Sequence, residues 1–238
     1  MAADALESIA ACAIPAPATS QLDANFSTLQ VAWEDTHLLA LIKPAGLLSV
    51  PGRGPERADC LSARAQRRWP DALVVHRLDQ ATSGLLLMAR SPEMQRRLSA
   101  AFAERRVHKR YEAVVHGQLS LPPGQASGWG EIDLPLIVDW PNRPRSKVDH
   151  AVGKPSRTRW RPLAHSARPA TTRLALAPVT GRSHQLRVHL QAIGHPIVGD
   201  ELYGPADAAP RLLLHACALA LAHPATGAPL YLHSPAPF

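Results

Sequence analysis

The chain has 238 residues, with 26 lysines and arginines against 19 acidic residues and a formal net charge of +7 at pH 7. A basic surplus of this size suits a polyanionic partner, but the charge alone is equally compatible with an ordinary basic protein. The three cysteines lie far apart and match no metal-ligand spacing, which argues against a disulfide framework and predicts a reducing compartment. No apolar run approaches the roughly 20 residues that span a bilayer, and the first residues lack a signal-peptide pattern, so we expect a cytoplasmic protein.

The N-terminal part of the chain divides into an irregular segment and the start of a folded domain. Residues 1–28 are rich in Ala, Pro and Ser without a regular apolar period, which predicts a mobile extension. Residues 29–238 are expected to form one domain. Leu38–Ile42 and Leu47–Val50 have the composition of short strands, and Arg57–Trp69 that of a short helix with a basic face.

The stretch from Val75 to Leu87 contains the most informative acid of the sequence. Asp79 is the only carboxylate between Asp71 and Glu93, and apolar runs typical of buried strands flank it on both sides. An ionised group in such a position is unfavourable unless it is paired or used. Two interpretations stay open from the residues alone: an Asx-turn, in which the carboxylate accepts bonds from nearby backbone amides, and a catalytic acid.

A second helix and a strand follow this stretch. Ser91 is a good helix cap, with proline at the first helical position and an acid in the first turn, and this helix should end near Arg106. Lys109–Gly117 alternates as a strand and puts Tyr111 on one face. A tyrosine in a strand most often fills the core, so its pattern alone indicates no function.

Two basic segments occur in the second half of the chain. A loop at Trp140–Lys147 combines an aromatic side chain with basic ones, a composition suited to phosphates and unstacked bases, and we expect it to contact RNA. A strand at residues 157–161 carries three arginines on one face, and either RNA contact or a solvated sheet edge would explain it. The expected RNA-contacting residues of the loop are Arg143, Arg145 and Lys147.

The last predicted helix carries a buried arginine. Arg173–Val179 has the pattern of a strand, and Ser183 is expected to cap the helix that follows. In that helix Arg187 lies beside an apolar face, and Gly194 ends it. Many short strands with two or three helices predict an α+β fold around a mostly antiparallel sheet.

Four motifs, in order, resemble the RluA family of RNA pseudouridine synthases, a far more specific signal than any single short pattern. Within the family, residues 133–144 resemble the branch that modifies tRNA and 23S rRNA. The four motifs are the Lys-Pro-x-Gly segment of Leu41–Gly52, the His-Arg-Leu-Asp segment of Val75–Leu87, the Tyr-containing strand of Lys109–Gly117, and the arginine motif of Thr180–His189 with its continuation to Gly204.

The resemblance implies a fold and a set of roles. The fold is the α+β pseudouridine synthase fold, a mixed and mostly antiparallel sheet in two subdomains that flank a catalytic cleft. The family's nucleophile corresponds to Asp79, and the arginine that pairs with it corresponds to Arg187. Tyr111 resembles the residue that packs on the target uracil and is proposed to remove the C5 proton. Arg77 resembles the side chain that replaces the flipped uridine in the RNA stack.

The resemblance also predicts the partners. Residues 29–238 would be a catalytic domain without an S4 RNA-binding domain in front of it. The expected substrates are a uridine in the tRNA anticodon stem-loop, one in a 23S rRNA hairpin, or both. Neither a metal nor an organic cofactor is needed for this chemistry, nothing implies a protein partner or a membrane, and we expect a monomer.

Other functions compete with this one. A metal enzyme is disfavoured because His184 and His189 are five residues apart and no further ligand completes a set. A two-carboxylate glycosidase would need a second acid, for which Asp200 is the only candidate, and we expect Asp200 to be structural. A non-catalytic RNA-binding protein and a synthase specific for rRNA remain the alternatives.

Overall fold

The computed structural model describes residues 29–123, 127–207 and 209–238, so the predicted N-terminal extension lies outside the described residues. The described chain is α+β, as predicted. Its α-helices are α1 (Leu61–Arg68), α2 (Pro92–Ala103) and α3 (Gln185–Ala192). Its strands are β1 (Gln30–Glu34), β2 (Leu38–Lys43), β3 (Leu73–Val74), β4 (Ser83–Ala89), β5 (His108–His116), β6 (Gly130–Asp133), β7 (Leu136–Val138), β8 (Ser146–Val148), β9 (Arg157–Ala167), β10 (Ala170–Pro178), β11 (Leu214–Ala222) and β12 (Pro229–His233).

Ten of these strands form one mixed sheet. Their order is β1-β2-β4-β11-β5-β10-β9-β6, with β3 beside β4 and β12 beside β11. The pairing of β11 with β4 is parallel, while the other named pairs are antiparallel, which confirms the predicted mixed and mostly antiparallel sheet. Strands β7 and β8 form a separate antiparallel hairpin.

The two halves of the sheet meet at the short parallel contact between β4 and β11. Only two residue pairs define it, His215 with Ser83 and Ala216 with Gly84. Gly84 has a φ of 114°, and a Cβ atom there would lie 2.4 Å from the carbonyl oxygen of Ala216. The close approach of the two backbones therefore requires glycine at this position, one residue into β4.

Helices cover both faces of the sheet. Strand β4 is buried along its whole length, which explains why its sequence is a continuous apolar run. On one face its residues pack with α2 and β12; on the other face they pack with α1. Helix α3 packs on the half of the sheet that contains β5, β10, β9 and β6. Both faces of the strand that follows Asp79 are thus fixed by packing.

The predicted elements differ from the structure mainly at their ends. Residues 47–50 form only a single bridge, Leu48 with Cys60, instead of a strand. Helix α1 begins at Leu61 because the Sγ atom of Cys60 accepts a bond from the third residue on, and cysteine is not a residue that normally indicates a cap. Helix α2 begins as predicted at Ser91 but ends at Ala103, since Arg105 adopts a left-handed conformation.

The largest local error concerns the start of α3. Ser183 does not cap this helix; His184 occupies the N-cap position with a left-handed backbone, φ 56° and ψ 18°, and makes no side-chain capping bond. The turn before it is fixed instead by the buried amide of Gln185, whose oxygen accepts bonds from the Thr180 hydroxyl and the Arg182 N–H. Helix α3 therefore starts in a way that the Ser/Thr cap rule does not predict. No helix in the described part of the chain is long and apolar enough to cross a membrane.

Candidate active site

Asp79 lies in the loop between β3 and β4, here called the Asp79 loop (residues 75–82). Ser49 fixes this loop on one side: its hydroxyl donates to the Leu78 carbonyl at 2.7 Å and accepts from the Leu78 N–H at 3.0 Å. On the other side Gly46 and Gln80 exchange two bonds, from the Gly46 N–H to the Gln80 carbonyl at 2.9 Å and from the Gln80 amide back at 3.0 Å. The backbone is thus held immediately before and after Asp79.

The Asp79 carboxylate faces the cleft. The turn that follows it is closed by a bond from the Thr82 N–H to the backbone carbonyl of Asp79 at 3.1 Å, and not to its side chain. This arrangement favours the catalytic interpretation over the Asx-turn. The side chain is 31% exposed, and the Nε2 atom of His184 lies 3.9 Å from Asp79 Oδ2. A carboxylate held in this way is accessible to a substrate.

Lys43 is a site residue that the sequence analysis did not select. It is fully buried, and its Nζ donates to the carbonyls of Pro44, Leu47 and Gln80 at 2.7 to 2.9 Å. Three acceptors match the three hydrogens of an ammonium group. Burial lowers the pKa of Lys43 to about 7, and the negative charge of Asp79 opposes that shift. The Lys-Pro-x-Gly motif was the available signal, since this lysine ties that segment to the Asp79 loop.

Tyr111 lies on β5, next to β11 and β10, with Ala216 and Leu176 as its cross-strand neighbours. It packs between the two apolar clusters that meet under the cleft, and it also lines the cleft. Burial raises the pKa of its phenol, and the charge of Asp79 raises it further. Tyr111 is therefore a neutral phenol at pH 7, close enough to the carboxylate for their charges to interact.

Arg187 makes its direct ion pair with a different acid from the one expected. Its Nε and Nη2 donate to the two oxygens of Asp200 at 2.8 and 2.6 Å, and both side chains are 5% exposed or less. Burial disfavours the guanidinium cation, but the bonds to Asp200 and the charges of Asp200 and Asp79 outweigh it and raise the pKa of Arg187. Asp79 thus interacts with Arg187 through its charge, while Asp200 fixes the guanidinium geometrically.

Tyr203 joins the remaining groups of the site. Its hydroxyl lies 2.7 Å from His184 Nδ1 and accepts a bond from the Ser146 N–H at 2.7 Å. Its ring lies under Arg187, with 5.0 Å between the guanidinium carbon and the ring centroid. Burial lowers the pKa of His184, against the effect of Asp79, so the imidazole is neutral at pH 7. Neither His184 nor Tyr203 was predicted as a site residue.

One basic cleft of about 1960 Å³ is lined by Lys43, Asp79, Tyr111, His184 and Arg187. Ten lysines and arginines contribute to its described lining, against two acids, Asp79 and Glu201. Arg77 lines the cleft and is exposed, as a residue that contacts RNA must be. Lys109 and Arg182 also line it, although the sequence analysis singled out neither. A cleft of this charge attracts a polyanion and surrounds the Asp79 carboxylate with positive potential.

The predicted RNA-contacting loop forms the end of the hairpin β7–β8 (residues 136–148). Arg143, Arg145 and Lys147 are exposed, and Pro144 between them lines the cleft, so the hairpin lies at its rim. The guanidinium carbon of Arg143 lies 4.0 Å from the ring centroid of Trp140, which is 64% exposed. A stacked, exposed aromatic and guanidinium pair of this kind can accept an unpaired base.

The arginine strand is β9, and two of its arginines, together with Arg110 of β5, surround a tryptophan. The guanidinium carbons of Arg110, Arg159 and Arg161 lie 5.0 to 5.2 Å from the ring centroid of Trp129. Arg159 also lines the cleft. The strand is therefore continuous with the basic surface of the cleft.

The structure places the two histidines of the arginine motif in hydrogen bonds. His189 is buried, with Nδ1 2.9 Å from the Thr158 hydroxyl and Nε2 3.1 Å from the Leu134 carbonyl. Over residues 29–123, 127–207 and 209–238, no cluster of three or more His, Cys, Asp or Glu side chains is arranged to hold a metal ion. Asp200, the only candidate for a second glycosidase acid, is 1% exposed and has both oxygens bonded to Arg187.

Comparisons with known proteins agree with this geometry. The family model described as RNA pseudouridylate synthase matches residues 37–192. The "Dual-specificity RNA pseudouridine synthase RluA" of Escherichia coli K12 is 47% identical over 213 residues, covering 88% of this chain and 94% of the relative. The protein of the same name from Vibrio vulnificus is 49% identical over 201 residues, 82% of this chain and 78% of the relative.

Solved structures give the same result for the fold. "Human RNA Pseudouridylate Synthase Domain Containing 1" matches with a TM-score of 0.74 and 27% identity, covering 92% of this chain and 87% of the human one. "Human RNA Pseudouridylate Synthase Domain Containing 4" matches with a TM-score of 0.66. The sheet, the cleft and the extent of these similarities lead to one conclusion: the chain belongs to the RNA pseudouridine synthase family, whose members isomerise uridine in RNA.

Proposed function

We propose that this chain converts a uridine in the tRNA anticodon stem-loop and a uridine in a 23S rRNA hairpin to pseudouridine, with Asp79 as the nucleophile. The observation that carries the residue assignment is the accessible Asp79 carboxylate, held by backbone bonds on both sides, in a cleft whose lysines and arginines outnumber its acids ten to two. Residues 29–238 act as the catalytic domain, as a monomer in the cytoplasm and without a metal or organic cofactor.

The reaction needs one acid and no second carboxylate. The N-glycosidic bond breaks, the detached uracil rotates, and a new bond joins C5 to the sugar as C5 loses its proton. A carboxylate can attack the anomeric carbon directly or remove a proton that lets the base leave, and Asp79 serves either route. Since Asp200 is bonded through both oxygens, it supports Asp79 indirectly by fixing Arg187.

Arg187 and Tyr111 act on the carboxylate and the base. The charge of Asp79 helps to raise the pKa of Arg187, so the buried guanidinium stays positive and attracts the carboxylate that acts as the nucleophile. The Tyr111 ring supplies an apolar surface for the uracil. Once C5 has bonded to the sugar, the Tyr111 oxygen accepts the C5 proton as the phenol passes its own proton to the Asp79 carboxylate, and solvent then carries a proton to N1 of the uracil. Because burial raises the pKa of Tyr111, the phenol stays protonated until this transfer, and no free phenolate is required.

The exposed basic residues bind the RNA. Arg77 lines the cleft beside Asp79 and takes the place of the flipped uridine in the stack. Arg143, Arg145 and Lys147 on the hairpin β7–β8 bind phosphates at the rim, and Trp140 with Arg143 accepts an unpaired base. The resemblance of residues 133–144 to the tRNA and 23S rRNA branch, together with the relatives named dual-specificity, supports two RNA substrates over one.

The test is tritium release from transcripts labelled at C5 of uridine, one an anticodon stem-loop and one a 23S rRNA hairpin, with Asp79→Asn as the inactive control. Release from both transcripts by wild type is the expected result. Release from the rRNA hairpin alone would leave a synthase specific for rRNA. If neither transcript nor intact 23S rRNA released tritium while both still bound, the protein would be an RNA-binding member of the family.

A further inference from the structure

A chain of contacts links the hairpin β7–β8 to the nucleophile, and the roles assigned above make no use of it. It begins at the backbone N–H of Ser146 in β8, continues through the Tyr203 hydroxyl at 2.7 Å to His184 Nδ1 at 2.7 Å, and ends with His184 Nε2, 3.9 Å from Asp79 Oδ2. The first two contacts are short hydrogen bonds. The last distance is longer than a hydrogen bond but short enough for one to form after a small movement.

These contacts favour one position for the proton of the His184 ring. The Ser146 N–H can only donate, so the Tyr203 oxygen accepts from it and keeps its own hydrogen for another partner. His184 Nδ1 lies 2.7 Å away and accepts this hydrogen in the Nε2–H tautomer, which is the tautomer that we assign. Since burial keeps the imidazole neutral, its proton is on Nε2, the atom that faces Asp79. His184 is therefore poised as a neutral donor to the carboxylate.

Two further features hold this arrangement in place. His184 has a left-handed backbone, which is uncommon for a residue other than glycine and persists only where the surroundings fix it. Tyr203 is fixed from its own backbone, because its N–H donates to Asp200 Oδ1 at 3.1 Å, the acid that also holds Arg187. The imidazole and guanidinium that act on Asp79 thus share one support.

We propose that His184 and Tyr203 are positioning residues that couple the docking of RNA on the hairpin β7–β8 to the orientation of the Asp79 carboxylate. RNA held by the hairpin draws β8 toward the cleft, and the movement passes through Tyr203 to His184. The gap of 3.9 Å then closes to a hydrogen bond from Nε2–H to Asp79, which aims the carboxylate at the sugar. This inference rests on the proposed function, since it assumes that RNA is the ligand of the hairpin.

Tyr203→Phe is the first variant, because it removes the hydroxyl and keeps the ring under Arg187. We expect the single-turnover rate constant at saturating RNA to fall roughly 10- to 100-fold, while the RNA Kd stays within about twofold of wild type. Tyr231→Phe, an exposed tyrosine of β12, is the matched control and should change neither value. An unchanged rate constant in Tyr203→Phe, or a loss confined to Kd, would overturn the proposal.

His184→Asn tests the other member, since asparagine tolerates the left-handed backbone but cannot reach both partners. The double variant Tyr203→Phe/His184→Asn should lose about as much rate as the more impaired single variant, because both substitutions break the same series of contacts. Additive losses would mean that the two residues act separately.

A nuclear magnetic resonance readout is independent of turnover. In the free protein the ¹⁵N shifts of His184 should report the Nε2–H form, and an unlabelled anticodon stem-loop should move the Nε2–H proton downfield in wild type but not in Asp79→Ala. If His184 is in the Nδ1–H form in the free protein, the proposed coupling is refuted even if the enzyme is active. The Nε2–H form in a protein that releases no tritium would instead refute only the proposed function.

Discussion

The Asp79 loop and the hairpin β7–β8 both face the same cleft, but they are built in opposite ways. In the loop, the backbone on each side of Asp79 is bonded to Ser49 or Gly46, and the buried Lys43 ammonium donates a further bond to the Gln80 carbonyl. In the hairpin, the basic side chains are exposed, and Lys147 makes only a long ion pair of 3.9 Å with Asp139. Under the proposed function this difference has a reason: a nucleophile must be held in a fixed position, whereas phosphate binding requires only positive charge within reach.

Replacement of the carboxylate should give the largest effect on turnover. We expect Asp79→Asn to lower the rate of tritium release by more than about 10³-fold, since the amide is neither a nucleophile nor a base. RNA affinity, measured by filter binding, should stay within a few-fold. Asp139→Asn in the hairpin is the matched control and should keep the wild-type rate. Persisting turnover in Asp79→Asn would refute the nucleophile assignment.

Lys43 tests whether the loop depends on its buried support. Lys43→Met keeps the length of the side chain but leaves three carbonyls without their donor, so we expect a loss of about 3 kcal/mol in the free energy of unfolding. Urea unfolding measures it. Lys147→Met, in the exposed hairpin, should change the same quantity by less than about 0.5 kcal/mol. Equal losses of unfolding free energy in Lys43→Met and Lys147→Met would show that the Asp79 loop does not depend on its buried support.

His76 gives the loop a pH dependence. Its Nε2 accepts a bond from the Leu87 N–H at 2.9 Å, and burial, with a smaller contribution from Lys109, lowers its pKa to about 3. The pKa of histidine in the unfolded chain is near 6.5, so protonation below that pH favours the unfolded state. The stabilisation by neutral His76 is therefore complete above pH 6.5 and is lost as the pH falls toward 3.

Between pH 7.5 and 5 the stability of His76→Gln should therefore fall by about 2 kcal/mol less than that of wild type, by urea unfolding. His215, whose pKa burial lowers to about 4, is present in both proteins and cancels in the comparison. The exposed His150 provides the control variant, His150→Gln, which should follow wild type. If the stability of His76→Gln depended on pH as strongly as that of wild type, His76 would not be the source of this pH dependence.

The smallest effect is expected in the hairpin. Arg145→Ala should weaken RNA binding up to about tenfold and lower the slope of log K against log salt by about 1, while the rate at saturating RNA stays unchanged. Titrations at several salt concentrations measure this. Arg168→Ala, on the exposed turn between β9 and β10, should leave the slope as in wild type. An unchanged slope in Arg145→Ala would remove the hairpin from the RNA surface.

The sequence predicted the elements that depend on local patterns. Ser91 caps α2, the alternating run around Tyr111 forms β5, and Gly194 follows α3 with a positive φ. Where the local rule is weak the prediction failed: a cysteine caps α1 and a left-handed histidine precedes α3. Both ends depend on contacts with other parts of the chain, which no cap rule contains.

The chain alone determined the family, the acid of the Asp79 loop and the basic character of the hairpin, because motifs, flanking apolar runs and charge are properties of neighbouring residues. Only the tertiary structure decided which partners these groups have. Arg187 is fixed by Asp200, 13 residues away, and Asp79 lies beside His184, more than 100 residues along the chain. Such pairs form because packing of the sheet and helices brings distant backbone segments together. Local sequence patterns do not indicate which distant residues become neighbours in this way.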